Sequence, residues 1–508
     1  MLIRQLRVWT YSLYKMLDLK RNDNNGKKVI SIIGTTGVGK SQLSIELAKR
    51  INGEIINADS MQMYKGLDQI TNKHPIEERE NIPHHVMNHV NWDEQYYIHR
   101  FQKECNAAME DCWNRGKIPI IVGGTHYYLQ STLFNNKTIG SNEEFVKKEE
   151  DDGNTRSKMT EEQLKIIDSD DNELIFEKLK EIDPIIANKF HPNDYRRIKR
   201  ALEVSFVRGV KASTIYEEQR KDSLNSGTSL KYDTLFFWIY SEMEELDQRL
   251  DERVDKMMLN GGVKELIDLY KFYLEEKRRG NESVEKMDVG IWQVIGFKEF
   301  LPYLEKNGTN DLLDINNIVN LEERDEAIRK LINEDKEFSK CCDEMKLKTR
   351  RYARKQVKWI RNLLGPELQE EENNGFVKFG KMFVLDATDL TKWGQRVGER
   401  GVNITNEFLS KGYVNDNCAE LAAIPTTLCH IDNLIKKNDT SSLNKVENWT
   451  HHECEVCRDR ETNKPIVYVG EQWDIHLKSK KHRFNLNRGK RKREYEEWLK
   501  KSKKEMIE

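Results

Sequence analysis

The chain has 508 residues, with 84 Lys+Arg against 86 Asp+Glu, 33% charged side chains and 37% hydrophobic ones. That length argues for about three domains, and the near balance of charge means that any basic, partner-seeking surface must be local. A mean hydropathy of -0.79, with no apolar run of membrane-spanning length, predicts a soluble protein with long solvated helices and no membrane partner.

The N-terminal stretch "MLIRQLRVWTYSLYKML" carries Arg4, Arg7 and Lys15 and no acid. It resembles an amphipathic organelle-import leader, with a plain flexible extension over residues 1–27 as the alternative. Four apolar runs then read as buried parallel strands: "KVISIIG" (28–34), "EIINA" (54–58), "IPIIVGG" (118–124) and "TLFFWIY" (234–240). Helical patterns separate them, as in the βα alternation of an α/β fold with a parallel sheet. After the first strand, Leu43, Leu47 and Ile51 recur every four residues and give the next helix one apolar face. Residues 135–163 are polar and charge-mixed and predict a mobile insert. Long charged helical patterns run from Ser241 to Leu269 and from Glu322 to Leu364. The stretch 365–375, "GPELQEEENNG", reads as a loop before a short strand signal, "KMFVLDA". The eight Cys (105, 112, 341, 342, 418, 429, 454 and 457) are scattered, which points to a reducing compartment and not to a disulfide framework.

The first three strands end in residues suited to chemistry. Gly34-Thr35-Thr36-Gly37-Val38-Gly39-Lys40-Ser41 fits G-x-x-x-x-G-K-[ST]. In such a loop, backbone N–H groups and the following helix N-terminus cradle phosphate, the lysine reaches a phosphate oxygen and the serine a Mg2+ ion. Asp59, Ser60 and Gln62 lie just past the second strand; Gly123, Gly124 and Thr125 end the third. Parallel strands place these ends on one side, where ligands bind. A nucleotide-hydrolysing enzyme usually ends an apolar strand in an Asp that holds Mg2+; here the third strand ends in Gly-Gly-Thr, which weakens that reading.

Together these residues resemble the tRNA dimethylallyltransferase (isopentenyltransferase) family. The likeness continues through "ITNKHP", "PHHVMN", "VGGTHYYLQ", "DPIIANKFHPNDYRRIKRALEV", "LDQRLDERVDKMM", "GIWQVIGFKE" and "TRRYARKQVKWIRNLL", in family order over about residues 29–364. It implies transfer of a dimethylallyl group from its diphosphate to N6 of adenosine 37, beside the tRNA anticodon, without ATP. Asp59 would then be the general base, with Ser60, Met61 and Gln62 along the adenosine pocket. Lys40, the loop amides and Mg2+ on Ser41 would neutralise the leaving diphosphate. The resemblance also implies that Thr125 positions the reacting groups and that Arg249 contacts the diphosphate, with Arg253 on the same helix face. The segment Tyr195–Arg200, including Arg196, Arg197, Ile198, Lys199 and Arg200, would contact the anticodon stem-loop, and an unstacked loop adenosine is the natural acceptor. His84 and His85 look like a metal pair, but no Cys or carboxylate stands at ligand spacing, so a structural or substrate-lining role is expected.

Near the C-terminus Cys454-x2-Cys457 is followed after 18 residues by His476-x5-His482. Two thiolates and two imidazoles complete a tetrahedral Zn2+ site; with Trp473 before the first His, the segment resembles a matrin/U1-type finger associated with RNA. His451 and His452 stand close by as false candidates. Residues 478–504 hold 13 Lys/Arg against 3 Glu, a footprint for phosphate backbone or a nuclear-import signal.

The expected organisation is an import leader or extension (1–27), a P-loop core (28–240) with a helical insert at about 133–190, and a helical part (241–364). A linker element (365–446) and a finger with basic tail (447–508) follow. Expected partners are tRNA and dimethylallyl diphosphate, with a monomeric enzyme in the cytoplasm, a second mitochondrial site from the leader and a nuclear one from the tail. The competing readings are a P-loop small-molecule kinase or NTPase, and a non-catalytic RNA-binding zinc-finger protein.

Overall fold

The computed structural model describes residues 27–135, 159–169, 171–226, 228–373, 375, 377–416, 418–433, 450–459, 463–470 and 472–488. The first 26 residues, where a leader or flexible extension is expected, nearly all of the polar insert and the basic tail beyond Arg488 lie outside the described residues. Among those described, no helix is long and apolar enough to cross a membrane.

Six parallel strands form the central sheet: β1 (Lys28–Gly34), β2 (Gly53–Asn57), β3 (His84–His85), β4 (Ile118–Val122), β5 (Asp233–Tyr240) and β6 (Met382–Asp386), in the order β3-β2-β4-β1-β5-β6. Runs such as Ile30, Ile32 and Ile33 in β1 and Phe236, Phe237 and Trp238 in β5 are fully buried on both faces, as a helix-covered parallel sheet requires. Helix α1 (Lys40–Ile51) leaves β1 through the glycine loop and buries Leu43, Leu47 and Ala48. Two further helices complete the framework of the site, α2 (Met243–Met257) and α3 (Lys336–Trp359).

The chain divides into two compact units. One comprises the described residues within Met1–Lys137 and Ser226–Lys437, the other those within Thr138–Asn225 and Asn438–Glu508. The first holds the sheet. In the second, the helices Asn172–Ile182, Pro184–Lys189 and Tyr195–Arg208 bury Ile175, Phe176, Leu179, Ile186, Ile198 and Leu202. A hairpin of β7 (His451–Arg458) and β8 (Pro465–Val469) sits beside them. The His451 ring nitrogen lies 2.9 Å from Phe190 O, and that of His191 2.9 Å from Val467 O.

Two local expectations fail. Residues 365–375 are not a loop: Gly365–Asn373 is helical. Leu368 is buried there, and Glu371 accepts hydrogen bonds from the Thr228 hydroxyl and the Ser229 N–H. Tertiary partners therefore outweigh the local Gly, Pro and Asn signals. The helical run over Ser241–Leu269 is also broken, at Asn260 and Gly261, where Gly261 adopts a φ of 112°. The "KMFVLDA" signal, by contrast, is β6, which joins β5 and widens the sheet.

Candidate active site

The C-terminal ends of β1 and β2 open on one cavity, and the end of β4 packs against that of β2. In the glycine loop the Lys40 ammonium folds back to donate to Thr35 O at 2.7 Å. Gly39, at a φ of 85°, has the Trp393 ring against it; a Cβ there would lie 2.4 Å from the indole. Only glycine fits both demands. Beyond β2, Asp59 accepts from the Met61 N–H at 3.1 Å, and the Thr125 hydroxyl accepts from the Ser60 N–H at 3.1 Å. The β2 and β4 loops touch so closely that a Cβ on Gly123 would sit 2.2 Å from Ala58 O.

A cavity of about 200 Å³ opens beside these groups, lined by Thr36, Asp59, Ser60, Met61, Arg253 and Tyr352, with Ile70, Val254, Met257, Val294, Ile295 and Met345 as an apolar wall. Cations and one carboxylate converge on it. Burial pushes the Lys40 ammonium down to about 8, against the pull of Asp59 and helped by Arg253. Burial likewise lowers the Arg253 guanidinium to about 10 while Asp59 opposes the shift. The Asp59 carboxyl is raised by burial, with the Met61 N–H and the Lys40 and Arg253 charges acting the other way. His126, stacked on Trp359 at 5.0 Å, is held neutral, its pKa near 3 through burial and then the neighbouring Lys40.

Not every residue expected here faces the cavity. Arg249 is turned away, donating to Ala387 O at 2.8 Å and to Thr388 O. It is Arg253, one turn on, that reaches the glycine loop, donating to the Thr36 hydroxyl at 2.8 Å. The Arg253 Nε–H is buried without a protein acceptor. Gln62 does not line the cavity itself; its amide donates to Thr71 O and Asn72 O, in two residues that do. Residues the sequence reading missed come from α3, where Met345, Thr349 and Tyr352 line the cavity and Gln356 reaches both glycine loops. Met345, Thr349, Tyr352 and Gln356 follow one another at intervals of four, three and four, which marks one helix face and is the signal that could have found them.

In the second unit Arg196, Arg197 and Arg200 are exposed on the Tyr195–Arg208 helix. Arg197 pairs with Asp194, Arg200 with Glu203 at 3.4 Å, and Lys199 donates to Ser169 O at 3.2 Å. Ile198 is fully buried, so its side chain is core and not surface.

Among the described residues two groups could hold a metal ion. Cys454, Cys457, His476 and His482 are all buried. The His482 Nδ1 lies 3.0 Å from His476 Nε2, 3.5 Å from Cys454 Sγ and 3.8 Å from Cys457 Sγ. Such separations fit four ligands about 2.0–2.3 Å from one ion. The Cys457 N–H and the Asn485 amide each donate to a cysteine sulfur at 3.3 Å, which favours thiolates. His451 and His452 stay outside this cluster, and His452 stacks on Trp473 at 5.2 Å. The second group corrects the expectation that His85 has no ligand partners nearby. The sheet brings Glu54 2.7 Å from its Nε2, with Cys112 3.8 Å from the same carboxylate. Arg115 already holds both Glu54 oxygens at 2.5 and 2.7 Å, so this is an ion-paired cluster in which a cation occupies the carboxylate.

A phosphate loop joined to a buried carboxylate and an apolar-walled cavity defines a P-loop group transferase. The IPP transferase family model matches residues 62–363. The tRNA dimethylallyltransferase of Saccharomyces cerevisiae is 45% identical over 96% of this chain and 98% of its own length. The Homo sapiens tRNA dimethylallyltransferase is 30% identical over 91% and 86%. A crystal structure of a eukaryotic dimethylallyltransferase acting on tRNA aligns with a TM-score of 0.70 and 42% identity, covering 93% of this chain and 99% of that one. The chain belongs to the IPP transferase family.

Proposed function

We propose that this enzyme is a tRNA dimethylallyltransferase that joins C1 of dimethylallyl diphosphate to N6 of adenosine 37 in tRNA. The C1–O bond to diphosphate breaks, the N6–C1 bond forms, and N6 gives up one proton. The observation that carries this reading is the meeting of the phosphate loop's Thr36 with Asp59 and Ser60 at one partly apolar cavity, with Thr125 bonded to the Ser60 N–H, in a chain of this family.

The exocyclic amine of adenine is a weak nucleophile because its lone pair is delocalised into the ring. Asp59 takes the proton as the bond forms, and its raised pKa suits it to do so. Lys40, the loop amides and Arg253 take up the charge developing on diphosphate; the unpaired Nε–H of Arg253 is a donor waiting for such an acceptor. Thr125 and Ser60 hold the acceptor beside Asp59. Ser41, in the first turn of α1, is the residue that would hold Mg2+ through its hydroxyl. When bound, Mg2+ would add further neutralisation of the leaving group. Arg249 supports this site indirectly, by anchoring α2 to the end of β6.

Zn2+ is the ion that best suits Cys454, Cys457, His476 and His482, a closed set of two sulfurs and two nitrogens. We assign the finger, together with Arg196, Arg197 and Arg200, to holding the anticodon stem-loop. The enzyme would act as a monomer, in the cytoplasm and, if the leader directs import, in mitochondria; the basic tail allows a nuclear pool. Lys40→Ala tests the donor site. It should weaken binding of dimethylallyl diphosphate and slow transfer while leaving tRNA affinity nearly intact; full activity would remove the donor from this loop.

A further inference from the structure

We propose that Gln356 is a positioning residue that locks the phosphate loop to the Gly124–Thr125 loop, and that this lock sets the rate of transfer. The inference rests on the function proposed above, because it supposes that donor and acceptor sit on these two loops. Gln356 is 4% exposed and does not line the cavity. Its Oε1 accepts from the Thr36 N–H at 2.9 Å, and its Nε2 donates to Gly124 O at 3.0 Å. The reverse amide orientation would set donor against donor and acceptor against acceptor, so the network itself fixes this one. The fit is close as well: a Cβ on Gly124 would lie 2.3 Å from Nε2.

Each end of this bridge is one bond from a group assigned to the chemistry. The Thr36 hydroxyl accepts from Arg253, and Gly124 precedes Thr125, whose hydroxyl accepts from the Ser60 N–H next to Asp59. Gln356 thus ties the diphosphate cradle directly to the loop that holds the amine, past the point where the sheet bond from the Gly123 N–H to Ile32 O ends and beside the Tyr352 hydroxyl, 3.5 Å from Gly124 O. Buried polar groups of this kind specify geometry because leaving either end unpaired is costly. A misplacement of about 1 Å between reacting groups can cost on the order of 10²-fold in rate. No other uncharged side chain of that length carries an acceptor and a donor on one rigid plane.

The test compares Gln356→Met and Gln356→Glu with the wild-type full chain, by single-turnover transfer at saturating donor and tRNA. Gln356→Met keeps the length and loses both hydrogen bonds; its rate should fall by about 10- to 100-fold, with tRNA affinity within about twofold. Gln356→Glu keeps the acceptor for Thr36 but sets a carboxylate oxygen against Gly124 O. Its rate relative to wild type should be low at neutral pH and climb as pH falls, because the protonated acid regains a donor. This pH response is one a mere loss of packing would not produce, and it remains readable if the Met variant folds poorly. Adding Thr125→Ala to Gln356→Met should slow transfer little beyond the slower single variant, since both act through one loop. A wild-type rate for Gln356→Met, a pH-independent ratio for Gln356→Glu, or losses that simply multiply would overturn the lock. If Lys40→Ala and Thr125→Ala both transferred normally, the functional reading would fall and the lock with it; if they were slow and Gln356→Met were not, only the lock would fall.

Discussion

Asp59 and Lys40 are both buried and feel each other's charge, and burial shifts each toward its neutral form. For Asp59 this makes a better base. Its contribution belongs to the transition state, so Asp59→Asn should lower the single-turnover rate by about 10²–10⁴-fold while donor binding barely changes. An Asn variant with a near-normal rate would leave Asp59 as a positioning group only. For Lys40 the consequence is a pH dependence. The ammonium binds diphosphate, and without ligand it loses its proton as pH rises through about 8. Donor affinity should therefore be greatest well below pH 8 and fall as pH rises through it, and binding near pH 8.5 should take up protons. Calorimetry in two buffers of different ionisation heat checks this; equal heats in both would contradict the assignment.

Helices α2 and α3 run past each other with three ion pairs in register: Asp247 with Arg354, Asp251 with Arg350, and Asp255 with Lys346 at 2.8 Å. This ladder aligns Arg253 on one helix with Tyr352 and Gln356 on the other. Reversing one charge, Arg350→Asp, places two carboxylates together and should cost on the order of 1 kcal/mol by denaturant midpoint, with slower transfer. Adding Asp251→Arg should restore both. If the double variant stays as impaired as the single one, the ladder does not set the register. The same pair of helices marks how far the sequence can be read. The apolar runs of β1, β2, β4 and β5, and the loops after the first three of these, follow from local pattern, because strand ends and glycine turns are local features. That Tyr352 and Gln356 would face Thr36 and Gly124 depends on packing across more than two hundred residues, which no local pattern encodes. Glu54 joins His85 for the same reason, through strand order, and Cys112 through the packing of the helix Ile98–Asn114. Arg249 and Arg253 share a helix face in the sequence, and only packing against the end of β6 decides which one points inward.

The sheet with its cavity forms one unit, and the insertion helices with the finger form the other. The proposed division of labour follows: the first does the chemistry and the second holds RNA. Metal binding and folding are one event in small Cys/His modules, so Cys454→Ser, or a chelator strong enough to strip the ion, should unfold residues 450–488. It should weaken tRNA affinity severalfold or more and leave donor binding unchanged. Unaltered tRNA affinity after verified metal loss would separate the finger from RNA recognition. The central claim, that the phosphate loop holds a prenyl diphosphate for transfer to RNA, is tested most directly by supplying dimethylallyl diphosphate and bulk tRNA to the purified full chain. Mass spectrometry of the digested nucleosides then gives the answer. The account predicts that one adenosine of each acceptor tRNA gains a single five-carbon prenyl group, with one diphosphate released per transfer and no requirement for ATP. No modified adenosine, together with phosphate released from ATP in the absence of RNA, would contradict it.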